Sequence, residues 1–131
     1  MNHLALRPGE LLSTVHLPIS KTGIRSSYEK VRIRGSIDFP LAGAAAWLKQ
    51  SEGKVEELRI ALTAVNPCPQ LVKNLNEFTG KNINDSMLDK IANLVQSQAK
   101  PMRTTTAKPW YRRRVIGVIA RRLTKKLFDA S

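Results

Sequence analysis

The cations in the stretch YEKVRIRGSIDFPLAG, residues 28–43, are the first feature of the sequence that could carry chemistry. Lys30, Arg32 and Arg34 are spaced two apart, and Asp38 follows four residues after Arg34. Ammonium and guanidinium groups bind diphosphates and anionic rings through charge-assisted hydrogen bonds. The residues alone leave two interpretations open, an anion-binding wall and a solvated strand face. Arg34 and Asp38 are equally compatible with an internal ion pair.

A second cationic cluster lies near the C-terminus, in a segment with an apolar stripe. It contains Arg112, Arg113, Arg114, Arg121, Arg122, Lys125 and Lys126. A DNA-recognition helix would be cationic too, but no helix-turn-helix or zinc-finger pattern precedes this segment. Because the apolar stripe must pack on something, the alternatives are an ordinary surface or a docking face for an acidic subunit. Nucleic-acid binding through this helix is kept as the second hypothesis.

Other catalytic and metal-binding chemistry has little basis in the sequence. Cys68 has only His3 and His16 as possible bases, and none of the three lies in a recognisable nucleophile signature. The same residues match no metal-ligand spacing. Neither the dinucleotide fingerprint nor the P-loop pattern is present. We expect Cys68 to be an unreactive thiol in a turn, and Asp85 and Asp89 to form a solvated helix face.

Length and charge narrow the class of protein. A chain of 131 residues suits one domain, taken here as 1–131, with a core of its own. The net charge of +12 favours an anionic partner without choosing among cofactor, nucleic acid and acidic protein. One cysteine, no apolar run of membrane-spanning length and no signal-peptide pattern predict a cytoplasmic protein.

The elements that must position these residues are predicted from periodicity. Alternating patterns predict strands at 12–18 and 26–34, the second with Lys30 and Arg34 on one face. SEGK, residues 51–54, predicts a hairpin turn between strands at 37–49 and 55–65. Pro67 and Pro69 are expected to end the sheet.

Helices are predicted for the rest of the chain. The expected spans are 69–80, 82–98 with Asn82 as the cap, and 110–128. Because the strands come first and the helices follow, the order predicts an α+β fold, a small antiparallel sheet with helices packed on one face.

Three stretches taken together resemble a known family. LRPGELLSTVHLP, SYEKVRIRGSIDFPLAGAAAWL and KPMRTTTAKPWYRRRVIGVIARRL are similar, in this order, to the C-terminal domain of the FAD-binding subunit of molybdenum hydroxylases. This group includes carbon monoxide dehydrogenase, xanthine dehydrogenase and 4-hydroxybenzoyl-CoA reductase. The resemblance covers almost the whole chain and implies the same α+β fold.

The resemblance also implies a role and site residues. Lys30 matches a family lysine near the isoalloxazine ring, and Arg34 and Asp38 match the Arg and Asp that follow it. The implied cofactors are FAD, held mostly by an N-terminal flavin-binding domain expected to be absent from this chain, and iron–sulfur clusters and molybdopterin in partner subunits. The domain would support electron transfer without being catalytic alone. A structural domain that has lost redox function is a third hypothesis.

Overall fold

The fold is a four-stranded antiparallel sheet covered on one face by two helices. The computed structural model describes residues 5–17, 23–35, 37–104 and 107–130. In chain order the elements are strands β1 (Ile24–Val31), β2 (Ala42–Ser51), β3 (Lys54–Thr63) and β4 (Gln70–Leu71), a 3₁₀ turn (Leu75–Phe78), and helices α1 (Asp85–Gln98) and α2 (Pro109–Asp129). The four strands lie side by side in the order in which they occur in the sequence, and the helices follow them along the chain. The predicted α+β architecture is therefore confirmed.

The hairpin between β2 and β3 forms where the sequence predicts it. Glu52 and Gly53 have φ of 51° and 71°, the left-handed conformation that a two-residue hairpin turn requires. Ser51 pairs with Lys54 on either side of this turn. The alanine-rich segment before the turn is therefore a strand, as predicted, although its ladder begins at Ala42 and not at residue 37.

The hydrophobic core lies between the sheet and the helices. Alternate residues of the two central strands are buried on the helix side, where small side chains in β2 let α2 pack closely. These residues are Ala42, Ala44, Ala46, Leu48, Leu58, Ile60 and Leu62. The β2 residues meet an apolar stripe of α2, which contains Ile116, Ile119, Ala120, Leu123 and Leu127, and those of β3 belong to the same core cluster. The predicted final helix is thus confirmed within one residue at each end.

Helix α1 begins two residues later than its predicted cap implies. The Asn84 side-chain oxygen accepts a hydrogen bond from the Met87 amide at 2.9 Å. Asn84 is therefore the N-cap, and the assignment of this role to Asn82 was wrong. The side chain of the N-cap residue must reach the amide of the second or third helical residue, which Asn84 does.

The predicted helix at 69–80 does not form. Gln70 and Leu71 pair with β3 as a short edge strand, so the prediction that the sheet ends at Pro67 and Pro69 was also wrong. Asn74 then takes a φ of 65°, which interrupts any helix. Proline is tolerated beside this strand because it lies at the edge of the sheet.

The two outer predicted strands are shorter than expected or absent. Residues 10–17 are exposed and pair with no strand in the described chain, while Pro18 lies outside the described residues. An alternating pattern forms a strand only where a neighbouring backbone completes its hydrogen bonds. Strand β1 ends at Val31, so Arg32 and Arg34 lie beyond the sheet.

Candidate functional site

Lys30 lies near the end of β1, on the sheet face opposite the helices. Its Cα partner on β2 is Gly43. A Cβ on Gly43 would lie 2.8 Å from Thr63 Cγ2 and 3.0 Å from the Tyr28 hydroxyl. A glycine is therefore needed at this position for Tyr28 and Lys30 to lie over the neighbouring strand. The predicted exposure of Lys30 on one strand face is confirmed.

Arg34 and Asp38 form an ion pair in the loop between β1 and β2, which is described at residues 32–35 and 37–41. Arg34 Nη2 lies 3.4 Å from Asp38 Oδ1, and the Arg34 amide donates to Asp38 Oδ2 at 3.2 Å. Hydrogen bonds from the Arg34 side chain and amide lower the pKa of the Asp38 carboxyl. The ion-pair interpretation is thus confirmed. Because the Arg34 side chain is 71% exposed, its guanidinium still faces solvent, although Asp38 partly neutralises its charge.

A cleft of about 450 Å³ opens beside this ion pair. It is lined by Ile33, Arg34, Asp38, Phe39, Pro40, Leu41, Thr104 and Arg112. Ile37 and Phe39 in the same loop are 98% and 91% exposed. Exposed apolar side chains that are grouped beside a charge indicate a surface that another group covers. Lys30 is not among the lining residues, so only two of the three predicted site residues are brought together.

Arg112, a buried residue of α2, binds the main chain at the end of this loop. The residue is 7% exposed, and its guanidinium donates to three main-chain carbonyls, those of Leu41 (2.8 Å), Met102 (2.7 Å) and Ala64. No carboxylate in the described chain lies within ion-pair distance of it. The sequence prediction grouped Arg112 with the surface cations and missed this role. Its signal is helical spacing, since position 112 precedes the buried Ile116 by four residues.

Other cations of α2 bind groups within the domain. Arg121 donates to Asp89 at 2.9 Å and to Asp85 at 2.7 Å, and these contacts raise the pKa of its guanidinium. Arg122 lies 3.4 Å from Glu29 on β1. Asp85 and Asp89 lie on a solvated helix face, as expected, with side chains 77% and 64% exposed, and they also pair with Arg121 across to α2. Because contacts within the described chain account for much of the cationic cluster, the nucleic-acid hypothesis has no support.

The remaining sequence expectations concern thiol, metal and membrane chemistry. Cys68 is free and exposed, and His16 lies in an exposed segment without regular secondary structure. Within the described ranges, histidine, cysteine and acidic residues form no group of three that could hold a metal ion. No helix that the structure describes is both long enough and apolar enough to cross a membrane.

Comparisons with known proteins agree on one family. The family model described as CO dehydrogenase flavoprotein C-terminal domain matches residues 26–127. The chain is 30% identical to the glyceraldehyde dehydrogenase medium chain of Sulfolobus acidocaldarius over 123 residues, 91% of this chain and 42% of that protein. It is 31% identical to the carbon monoxide dehydrogenase medium chain of Afipia carboxidovorans over 123 residues, 93% of this chain and 42% of that protein.

A solved structure extends this agreement to the fold. Reconstituted CO dehydrogenase from Oligotropha carboxidovorans contains a chain that superposes with a TM-score of 0.87 at 29% identity. The match covers 97% of this chain and 44% of the solved chain. The sequence described here thus spans less than half the length of the relatives that it matches.

Proposed function

The chain belongs to the CO dehydrogenase flavoprotein C-terminal domain family, and we propose that it acts as this domain in a FAD-containing electron-transfer subunit of a molybdenum hydroxylase. The observation that supports the proposal most directly is the loop between β1 and β2. It presents an exposed Arg34 charge beside the almost fully exposed side chains of Ile37 and Phe39. In this role the loop forms one wall of a flavin site.

The described residues fit one side of a flavin. The isoalloxazine ring is flat and mostly apolar, so Ile37 and Phe39 would cover part of it, while Lys30 and Arg34 would favour negative charge at its edge. The bound FAD would supply the chemistry of accepting and releasing electrons. The cleft is an open concavity, and the described chain has no glycine-rich phosphate loop. We therefore assign the diphosphate to an N-terminal flavin-binding domain.

The ion pair defines what this chain's own residues would do at such a site. Asp38 accepts two hydrogen bonds from Arg34 and so would orient the Arg34 guanidinium at the mouth of the cleft. Arg112 fixes the other end of the loop through the Leu41 carbonyl. The domain would orient and shield the ring without making or breaking bonds, while iron–sulfur and molybdenum subunits would deliver the electrons. A cytoplasmic location belongs to the same proposal.

Co-expression of this chain with a flavin-binding domain of the family tests the proposal. We expect the tagged chain to retain that domain together with visible FAD absorbance. Lys30→Ala should leave retention unchanged and shift the flavin reduction potential downward, because a cation near the ring favours the reduced, anionic form. Lys54→Ala, at the hairpin turn, is the matched control. Failure to form any flavin-containing complex would contradict the proposal.

A structural domain without a redox role is the alternative that this experiment separates. In that case the complex would form and bind FAD, but Lys30→Ala and Arg34→Gln would leave its reduction potential equal to that of Lys54→Ala. A shift confined to the first two variants supports the flavin wall.

A further inference from the structure

A groove separate from the cleft runs between edge strand β1 and helix α2. It has a volume of about 270 Å³ and is called the α2 groove. It is lined by Val31, Tyr111, Arg114, Val115, Val118, Ile119 and Arg122. None of these residues lines the cleft beside Arg34 and Asp38. The α2 groove is therefore a second surface feature, which the flavin-wall proposal does not use.

The α2 groove exposes apolar side chains along one side of the helix. Positions 111, 115, 118 and 122 follow the spacing of a helical stripe, beside the stripe that packs on the sheet. Tyr111 and Val118 are each 41% exposed, and the adjacent Trp110 is 60% exposed. Trp110 and Tyr111 stack edge to face at 5.9 Å between ring centres. Tryptophan, tyrosine and arginine are the residues that most often carry binding energy at protein interfaces.

The charges at the α2 groove indicate the chemistry of its partner. Arg114 and Arg122 lie eight residues apart on one helix, a separation of about 12 Å along its axis. Arg122 is partly neutralised by Glu29 at 3.4 Å, so Arg114 is the stronger anchor. A second copy of a chain with a net charge of +12 would be repelled. Because the middle of the groove is apolar, a protein segment fits it better than a phosphate backbone.

We propose that the α2 groove binds an acidic segment of another protein, with an apolar side chain seated on Val118 between carboxylates that reach Arg114 and Arg122. Complementary charge would guide the encounter, and burial of the apolar contact would retain the partner. The inference uses only the groove and the net charge, so it stands or fails independently of the flavin site.

Selection from a random peptide display library on the full chain tests this inference. Val118→Asp serves for counter-selection, because it places a carboxylate at the centre of the groove without changing a buried residue. We expect enriched peptides to share an apolar residue flanked by Asp or Glu. Their synthetic forms should bind Val118→Asp and Arg114→Glu at least about tenfold more weakly than the unsubstituted chain. Lys54→Glu carries the same charge change as Arg114→Glu but lies outside the groove, so it should retain binding.

Three results would overturn the inference. These are enrichment without acidic and apolar positions, equal binding by Val118→Asp and the unsubstituted chain, and no enrichment over the counter-selection.

Random duplex DNA is the competing probe. If it displaces the peptides and its own binding is lost in Arg114→Glu but not in Lys54→Glu, the groove is a nucleic-acid surface instead. Circular dichroism checks folding, and Arg114→Glu decides the test if Val118→Asp unfolds.

Discussion

Replacement of Arg112 by methionine removes a buried cation and three hydrogen bonds while keeping a side chain of similar length. The guanidinium joins the carbonyls of Leu41, Met102 and Ala64, which belong to three separate connections of the fold. The expected effect is therefore a loss of global stability together with loosening of the β1–β2 loop.

The magnitude follows from opposing contributions. A buried carbonyl left without a partner costs about 1–3 kcal/mol. Met102 lies in an exposed segment, so water can replace the lost donor at its carbonyl, whereas those of Leu41 and Ala64 are less accessible. Removal of a buried charge returns part of this cost, because burial of a guanidinium is itself unfavourable. We expect a net loss of about 3 kcal/mol in the free energy of unfolding.

Urea unfolding followed by circular dichroism measures this loss, provided that the variants share one m-value. Arg112→Lys keeps the charge, but a single ammonium cannot span three carbonyls, so it should lose about 1–2 kcal/mol. Arg114→Met, on the exposed side of the same helix, should stay within about 0.5 kcal/mol. A loss below about 1 kcal/mol for Arg112→Met, or full stability in Arg112→Lys, would refute the reasoning.

Three further predictions concern the helices and the ion pair. Asn84→Ala should lower the free energy of unfolding by about 1 kcal/mol, measured in urea, because α1 loses its cap. Gly117→Ala should lower the free energy of unfolding, because the new Cβ would lie 2.5 Å from Gln96 Nε2. The double variant with Gln96→Ala has no such clash, so the loss should be reversed and the higher helix propensity of alanine should add about 1 kcal/mol. NMR titration should place the Asp38 pKa below its ordinary value, and Arg34→Gln should raise it.

Each of these predictions has its own control. Asn82→Ala should change stability little, and an effect as large as that of Asn84→Ala would show that the cap is assigned wrongly. A double variant no more stable than Gly117→Ala would exclude the steric contact. For Asp38, the lower folded-state pKa means that its stabilisation is present above the unfolded-state pKa and is lost as pH falls through the folded-state value. A stabilising contribution that grows in acid would contradict this sign.

Much of the fold could be predicted because local signals agreed with tertiary contacts. Alternation in β3, the turn at Glu52 and Gly53, and the stripe of α2 each describe a structure that packing then uses. The failures have the opposite origin. Residues 69–80 contain acceptable helix formers, but Val72 donates to the Ile60 carbonyl at 2.8 Å and so continues the sheet. Local sequence patterns do not indicate such a contact between residues of different segments.

Part of the candidate site could likewise be predicted from local sequence patterns, and part could not. The pair of Arg34 and Asp38 is local, so spacing alone made the ion pair one of two options. The sheet face on which Lys30 lies could be predicted from the alternating pattern of β1. Helical spacing indicates that Arg112 is buried, but its carbonyl acceptors could not be predicted, because they come from segments that the sequence pattern does not relate to it.

The bonds of Arg112 also order the assembly of the domain in time. All three carbonyl acceptors precede Arg112 in the sequence, and that of Leu41 lies 71 positions before the guanidinium that binds it. During synthesis the hairpin of β2 and β3 can pair as soon as it emerges, because its contacts are local. The end of the β1–β2 loop is fastened only after residue 112 has left the ribosome. Order in this loop would therefore report that synthesis has passed the first turn of α2.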